Sequence, residues 1–315
     1  MKTKISVAIA VHNEEKNLPR VLASVKDWAD EVVVADGNSS DSSVEVAKKL
    51  GAKVIKAKHE PMFHKNKQKA IDACKNEWVL LLDADEEVSK ELRQEVGEVL
   101  NHQSSIINHQ ASGYWAPRKN IIFGKWMENT RWWPDYIPRF FKKGRVNWPK
   151  QIHRQPELKG NIYTLPDDKD SAIVHYHYDS LDQFLSRAMR YSEVQAEELI
   201  KEKKYKLSSS DLILKPAGEF FSRFFVGEGY KDGFHGLALA VLQSYATALI
   251  YLKVWEKRKY EKRALEPKKL KSTFSKLVYE TDYWQSRWWL DRTQGYQKII
   301  LGWFYRIRGL ILKLF

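Results

Sequence analysis

The hydrophobic pattern of the first hundred residues alternates between two periods. Ile5 to Val11 is an apolar run of strand length that turns at once into His12-Asn13-Glu14-Glu15. Asn17 and Pro19 suit a helix start, and Leu18, Leu22 and Val25 fall on one helical face. A second run, Val32 to Ala35, ends in Asp36-Gly37-Asn38-Ser39-Ser40-Asp41. Ser42 and Glu45 then read as a capping box, and Gly51 closes that helix. Lys53 to Ala57 reads as a third strand, and a helix over about residues 64–75 leads to a fourth apolar run, Trp78 to Leu82. Strand and helix in strict alternation predict an α/β fold with a mostly parallel sheet, right-handed crossovers and helices on its faces.

The fourth run ends in Asp83-Ala84-Asp85-Glu86-Glu87. Carboxylates that close repel one another unless something positive sits between them. A hard divalent cation shared with a phosphorylated substrate is a natural neutraliser, since Mg²⁺ takes one or two carboxylates plus phosphate oxygens. Glu86 and Glu87 read instead as the opening of a helix, where acids are favourable. Three predicted strands thus carry polar residues at one edge: His12 to Glu15, Asp36, and Asp83 to Asp85. Ligands bind at that edge of open α/β sheets.

The segments "ISVAIAVHNEEKNL", "EVVVADGNSSDSS", "HKNKQKAIDAC" and "EWVLLLDADEEV", in that order, resemble the family 2 glycosyltransferases, which have the GT-A (Rossmann-like) fold and use nucleotide-diphosphate sugars. "PRFF" after a Trp-Pro-Asp, an "IH" segment, "KPAGEFFSRFF" and "GYKDGFHGLALA" are similar to bacterial enzymes of lipopolysaccharide core and other surface glycans. The resemblance implies that Val11, Asn13 and Glu15 lie along base and ribose, and that Asp36 accepts from the ring N–H of a uracil-like base. It implies Lys67 facing the diphosphate and Gln68 at a position that is commonly Asn. Asp83 would contact ribose or metal, and Asp85 would ligate a Mg²⁺ or Mn²⁺ ion. Gly37 stands where many relatives have a second Asp.

An inverting transferase needs a base near the acceptor hydroxyl. Relatives often supply it from a Glu-Asp pair, and residues 113 to 180 contain none. Asp135, in a stiff aromatic loop that suits a raised pKa and stacking on a sugar, is the favoured candidate, and His153 is the other. His175 and His177 have strand spacing and share a side. His175 reads as a third metal ligand, or the two form a surface pair. His59 and His64 read as solvated loop histidines or a lid.

Beyond residue 178 the pattern turns helical. Ser180 and Gln183 form a capping box for a helix to about Lys203, and Ser210 to Phe225 gives another, with Pro216 at its start. Gly236 to Leu252 is apolar but carries Gln, Ser, Thr and Tyr. It reads as a buried or membrane-surface helix rather than a span. Ile300, Trp303, Phe304, Ile307, Leu310, Ile311 and Leu314 trace a stripe accompanied by Arg306, Arg308 and Lys313, the make-up of an interfacial helix. The expected organisation is a GT-A domain over 1–178, a helical extension packing on it over 179–265, and a basic, aromatic, amphipathic segment over 266–315.

Composition narrows the partners. The formal charge of +13 is concentrated in the second half, interleaved with aromatics and without a nucleic-acid-binding signature. An anionic membrane surface fits better than nucleic acid. A single cysteine, Cys74, excludes an internal disulfide framework, and no secretory signal is read in the first apolar run. The expectation is a metal-dependent, inverting transferase peripheral on the cytoplasmic face of the cell membrane. Its donor would be a nucleotide sugar, UDP-linked, and its acceptor a hydroxyl of a lipopolysaccharide-core, surface-glycan or lipid-linked molecule. The alternatives are a polyprenyl-phosphate sugar synthase and a catalytically inactive scaffold that binds membrane or glycan.

Overall fold

The computed structural model describes residues 3–58, 64–101, 111–148, 156–202, 205–295, 299–300 and 302–303. The chain divides into two compact units, Met1–Trp126 with Trp132–His177, and Met127–Arg131 with Tyr178–Phe315.

The first unit begins β1 (Ile5–Val11), α1 (Leu18–Val25), β2 (Glu31–Asp36), α2 (Ser43–Lys49), β3 (Lys53–Lys56), α3 (His64–Ala73) and β4 (Trp78–Asp83). It continues β5 (Glu86–Val88), α4 (Lys90–Leu100), β6 (Gly113–Ile122), β7 (Lys125–Trp126), β8 (Asp135–Lys142), β9 (Val146–Asn147), β10 (Glu157–Leu158), β11 (Ile162–Thr164) and β12 (Ile173–Tyr178). The main sheet runs β3-β2-β1-β4-β8-β6-β12-β5, with β7 and β11 paired to β6. Strands β3, β2, β1 and β4 are parallel, whereas β4–β8, β8–β6 and β12–β5 are antiparallel. The sheet is therefore mixed, its parallel part coming from the βα repeats that the pattern announces.

Both faces of that parallel part are covered, which is why its strands are apolar throughout rather than alternating. Ile5, Val7, Ile9 and Val11 pack with Leu80, Leu82 and the α1 residues Leu18, Val21, Leu22 and Val25. Ala8, Val33, Ala35, Val79 and Leu81 pack on the other side with Ala70 and Ile71 of α3.

Two local expectations are corrected. Glu86 and Glu87 form strand β5, and the helix begins only at Lys90, behind Ser89, whose Oγ accepts from Leu92 N at 3.1 Å. Ser42 makes no side-chain cap on α2. Instead Asp41 Oδ1 accepts from Ser43 N and Ser43 Oγ at 3.0 and 2.5 Å, so the acid one residue earlier closes the turn.

The second unit contains α5 (Leu181–Lys201), α6 (Ser209–Phe221), a π-helical turn (Ser222–Val226), a 3₁₀ turn (Gly229–Asp232), α7 (Phe234–Lys257) and α8 (Pro267–Leu290). Ser180 Oγ caps α5, and Ser208 with Asp211 forms a capping box on α6. Pro216 lies inside α6 rather than at its start, and its carbonyl accepts from Ser244 Oγ of α7 at 2.8 Å. Helix α7 packs on α5 and α6, and α8 packs on α6. The start of α7 lies against the 3₁₀ turn so closely that a Cβ on Gly236 would sit 1.8 Å from Gly229 O. Asp232 is buried there, accepting from Asn129 N, Asn129 Nδ2 and Thr130 Oγ1 at 3.0–3.1 Å.

Among the described residues α7 is the one helix long and apolar enough, by length and composition, to cross a membrane. One of its faces stays exposed: Phe234, Leu237, Val241, Tyr245, Leu252 and Trp255. Ile300 and Trp303 are exposed too. Phe304, Ile307, Leu310, Ile311 and Leu314 of the C-terminal stripe lie outside the described residues.

Candidate active site

The carboxyl ends of β1 and β2 are laced together by side chains. Asn13, at φ +58°, accepts from Ser40 N through Oδ1 at 2.8 Å, and Glu15 Oε2 accepts from Ser42 N at 3.0 Å. Asp36 is buried and takes Ser39 N on both oxygens, at 3.2 and 3.3 Å. Val11 is buried, and its carbonyl accepts from Gly37 N at 2.8 Å. A Cβ on Gly37 would stand 3.0 Å from Asn66 Nδ2 and 3.1 Å from Val11 O. An acid at 37 therefore has little room while buried Asn66 holds its place on α3. Neighbouring α3 residues point apart by about 100°. Lys67 turns to the sheet, whereas Gln68 turns away, donating to Asp72 at 2.8 Å and accepting from Trp148 N at 3.3 Å.

From Lys67 a chain of alternating charge crosses the strand ends. Lys67 Nζ meets Asp83 Oδ1 at 2.5 Å, and Arg139 Nη2 meets Asp83 Oδ2 at 2.5 Å and Glu86 Oε1 at 2.7 Å. Arg118 Nη1 meets the same Glu86 oxygen at 3.1 Å and donates to Asp135 Oδ2 through Nε and Nη2 at 2.8 and 2.6 Å. Asn120 Nδ2 joins at Asp135 Oδ2 at 3.0 Å, and Asn120 Oδ1 lies 2.7 Å from His175 Nδ1. His175 Nε2 ends the chain 3.5 Å from Asp85 Oδ2. Strand register builds this array. Arg118 is directly opposite Asp135 on β6 and β8, His175 is opposite Glu86 on β12 and β5, and Tyr176 N donates to Asp85 O at 2.9 Å.

These contacts change the electrostatic account of the acidic strand end. The first neutralisers of its carboxylates are the protein's own arginines. Glu86, with no exposed surface, is compensated by two guanidinium groups and also accepts from Asp83 N at 2.9 Å. Burial alone would raise the Asp83 carboxyl, but Arg139 and Lys67 outweigh it and hold it well below the usual carboxylate range. Both Asp83 oxygens are thereby engaged by cations of the chain, where a metal or ribose had been expected. Asp135 is likewise lowered: burial would raise it, and Arg118 and Asn120 reverse that. The expectation of a raised pKa there is corrected, because its loop lies against a guanidinium rather than an apolar wall.

Asp85 and His175 differ from the rest. The Asn120 amide donates through Nδ2 to Trp132 O at 3.1 Å and to Asp135, which makes Oδ1 its accepting end. His175 Nδ1 then donates to it, which orients the ring so that Nε2 faces the Asp85 carboxylate. At 3.5 Å the two groups are placed to share a proton or a cation. A carboxylate, an imidazole and an amide that fixes the ring are the donor set and outer partner of a divalent-cation site. Among the described residues no third His, Cys, Asp or Glu completes such a site, so the fit is to an ion that takes its other ligands from solvent or a phosphate.

His175 and His177 do share a side, with ring centroids 4.4 Å apart. Next to Asp135, after the cis Trp133–Pro134 bond, Trp133 and Trp126 meet edge to face at 5.6 Å. His64 lies against Trp148 at 5.0 Å, and Lys67 Nζ is 5.1 Å from the Trp148 ring. His153 and His59 lie outside the described residues. Cys74 is buried and its thiol is pushed up to about 12 by burial, so it is inert. Sequence reasoning missed Arg118, Arg139, Asn120 and Glu86. The available signal was the repeated Pro-Arg, Pro117-Arg118 and Pro138-Arg139, which puts an arginine inside each of two strands.

A βα-repeat half-sheet whose strand ends gather acids, a lysine and a carboxylate–imidazole pair, followed by antiparallel strands, defines a GT-A-type α/β transferase. The chain belongs to glycosyltransferase family 2: the family model described as "Glycosyl transferase family 2" matches residues 6–156. It is 32% identical over 260 residues to an uncharacterized glycosyltransferase of Rickettsia felis, covering 80% of this chain and 90% of that one. It is 24% identical to the lipopolysaccharide core biosynthesis glycosyltransferase LpsC of Rhizobium meliloti over 84% of this chain and 95% of that one. Staphylococcus aureus TarS 1-349 in complex with UDP superposes with a TM-score of 0.42 at 14% identity, over 84% of this chain and 94% of that one.

Proposed function

We propose that this glycosyltransferase moves a sugar, with inversion, from a UDP-linked donor to a hydroxyl of a lipopolysaccharide-core, surface-glycan or lipid-linked acceptor, with a Mg²⁺ or Mn²⁺ ion. The observation that carries the reading is the Asp85–His175 pair, a carboxylate and an imidazole 3.5 Å apart at the strand edge with the ring held by Asn120, an arrangement that could hold a cation. Such an ion, when bound, offsets charge on the departing diphosphate. Lys67, also at that edge, adds a fixed positive charge for the same diphosphate, and buried Asp36 offers its carboxylate to a uracil ring N–H.

Asp135 is the base of this reading. Its Oδ2 takes three donors from Arg118 and Asn120, which keeps the carboxylate ionised and leaves Oδ1 as the oxygen to accept a proton. The acceptor oxygen bonds to the anomeric carbon, the bond from that carbon to the diphosphate oxygen breaks, and its electron pair leaves with the diphosphate. The hydroxyl proton goes to Asp135. Trp133, beside Asp135, offers an aromatic ring for the acceptor sugar. The exposed apolar face of α7, in a unit with 26 Lys and Arg against 17 Asp and Glu, supports a peripheral position on the anionic cytoplasmic face of the membrane.

One observation favours a second reading. A carboxylate lowered by a guanidinium is a weak base, and a polyprenyl-phosphate acceptor needs none. The test is nucleoside-diphosphate release from a panel of nucleotide sugars, with Mn²⁺ or Mg²⁺ and with EDTA. Release from a UDP-sugar that EDTA abolishes, and that Asp85→Ala loses while its circular dichroism is unchanged, is the expected result. Full activity of Asp85→Ala sinks the cation assignment. Turnover surviving loss of both candidate bases, Asp135→Asn with His153→Ala, transfers the reading to the phosphate acceptor.

A further inference from the structure

Helices α6 and α8 of the second unit do not close on one another along their whole length. Between them, with the π-helical turn, lies a groove of about 930 Å³. Its α6 wall is apolar: Leu214, Ala217, Phe221 and, from the π turn, Val226. Its α8 wall carries Lys268, Lys271 and Lys276, with Trp284 beyond them. The one lining carboxylate, Glu280, accepts from the Trp284 indole at 3.2 Å. Among the described residues none of the three lysines forms an ion pair, in a unit where Lys253, Lys257, Arg223 and Lys231 all do. Arg131 donates to Ser222 Oγ, also in the lining, at 2.7 Å, bringing another cation to that end.

The groove is also kept open. Gly218 lies mid-helix in α6 and lines it, and a Cβ built there meets nothing within 4 Å. Glycine in a helix interior costs about 1 kcal/mol relative to alanine. Here no backbone demand explains it, for no close approach or positive φ is present. Its effect is to leave space over the groove floor.

We propose that this groove binds an anionic amphiphile, a long hydrocarbon chain carrying a phosphate. The apolar α6 wall takes the chain, and the unpaired Lys268, Lys271 and Lys276 take the phosphate. A volume of this size suits one such ligand. A free phosphate leaves the apolar wall wet, and a neutral chain leaves three ammonium groups beside hydrocarbon. In the transferase this is the seat of the acceptor's lipid anchor, a role that rests on the lipid-linked acceptor of the proposed function, whereas the binding itself does not.

The test is calorimetric titration of the full chain with monomeric dodecyl phosphate, with inorganic phosphate and with dodecyl maltoside. Dodecyl phosphate is expected to saturate one site and to bind at least about tenfold more tightly than either control, a difference of about 1.4 kcal/mol. Gly218→Leu, which plugs the groove, and Lys268→Gln/Lys271→Gln/Lys276→Gln, which discharges it, should each lose at least about tenfold in affinity. Gly218→Ala should bind as the natural chain does. Unchanged binding in Gly218→Leu and in the triple variant overturns the proposal, as does maltoside or inorganic phosphate binding as tightly as dodecyl phosphate. Should Gly218→Leu not fold, the triple surface variant decides alone. Donor hydrolysis, run alongside without acceptor, separates the two readings. Amphiphile binding without donor release fails the transferase, and donor release without amphiphile binding fails the groove.

Discussion

Two charged regions of this chain are organised in opposite ways. At the strand ends of the first unit, Lys67, Asp83, Arg139, Glu86, Arg118 and Asp135 are matched contact by contact, and Glu86 among them has no exposed surface. On α8 of the second unit, Lys268, Lys271 and Lys276 have no acid partner among the described residues and stand beside an open apolar groove. Buried charge is tolerated only when compensated within the fold. Charge left uncompensated at a wet surface costs the fold little and remains available to a ligand. The first region therefore determines stability and the second does not.

The sharpest way to break that contrast is Arg139→Ala. It strands Asp83 and Glu86, and breaking a buried pair from one side costs about 3–5 kcal/mol. Urea denaturation should read that loss, and a value below about 1 kcal/mol would make the array an ordinary surface network.

Next comes Gly236→Ala, which tests whether the second unit depends on close packing where the first depends on charge. A methyl 1.8 Å from Gly229 O forces α7 off the 3₁₀ turn, an overpacking cost of about 1–3 kcal/mol. A thermal melt unchanged from the natural chain would contradict the close approach.

Acid sharpens the comparison further. Asp83 and Asp135 have lowered values in the folded chain. Their contribution is complete above the unfolded carboxylate value, about pH 4, and is lost as pH falls through the lowered folded values. Denaturant midpoints should hold from neutrality to about pH 5 and fall steeply below about pH 4. The fall should be shallower in Asp135→Asn, which removes one of the titrating groups.

The smallest effect belongs to α8. Replacing Lys268, Lys271 and Lys276 by Gln should move stability by no more than about 0.5 kcal/mol, read by the same urea titration. A larger loss would mean that these lysines are structural.

The parallel half of the sheet was legible because local pattern suffices for it: apolar runs Ile5 to Val11 and Trp78 to Leu82, divided by helical periods, specify βα units whatever follows. The grouping of Asp36, Asp83 and Asp85 at one edge was legible for the same reason, since strand direction fixes which end each residue occupies, whereas Lys67, on α3, came from the resemblance. The resemblance carried the rest of the donor-site reading. What nothing local announced was the partner of each charge. Glu86 read as a helix-opening acid because its partners, Arg118 and Arg139, lie 32 and 53 residues away. Asp135 read as a residue with a raised pKa because its loop is aromatic in sequence, while its neighbour across the strands is Arg118.

The sequence by itself determined the βα order through β4, the family by its motifs, and that Asp36, Asp83 and Asp85 reach the strand edge, the first and last because they follow from periodicity and chain direction. Only the tertiary structure decided which of those carboxylates meet a guanidinium or ammonium group and which faces an imidazole. It likewise decided that Gly218 opens a groove and that Met127–Arg131 belongs with the helical unit. Pairing across antiparallel strands and between helices depends on register and packing over long sequence separations, and one residue's slip would exchange every partner.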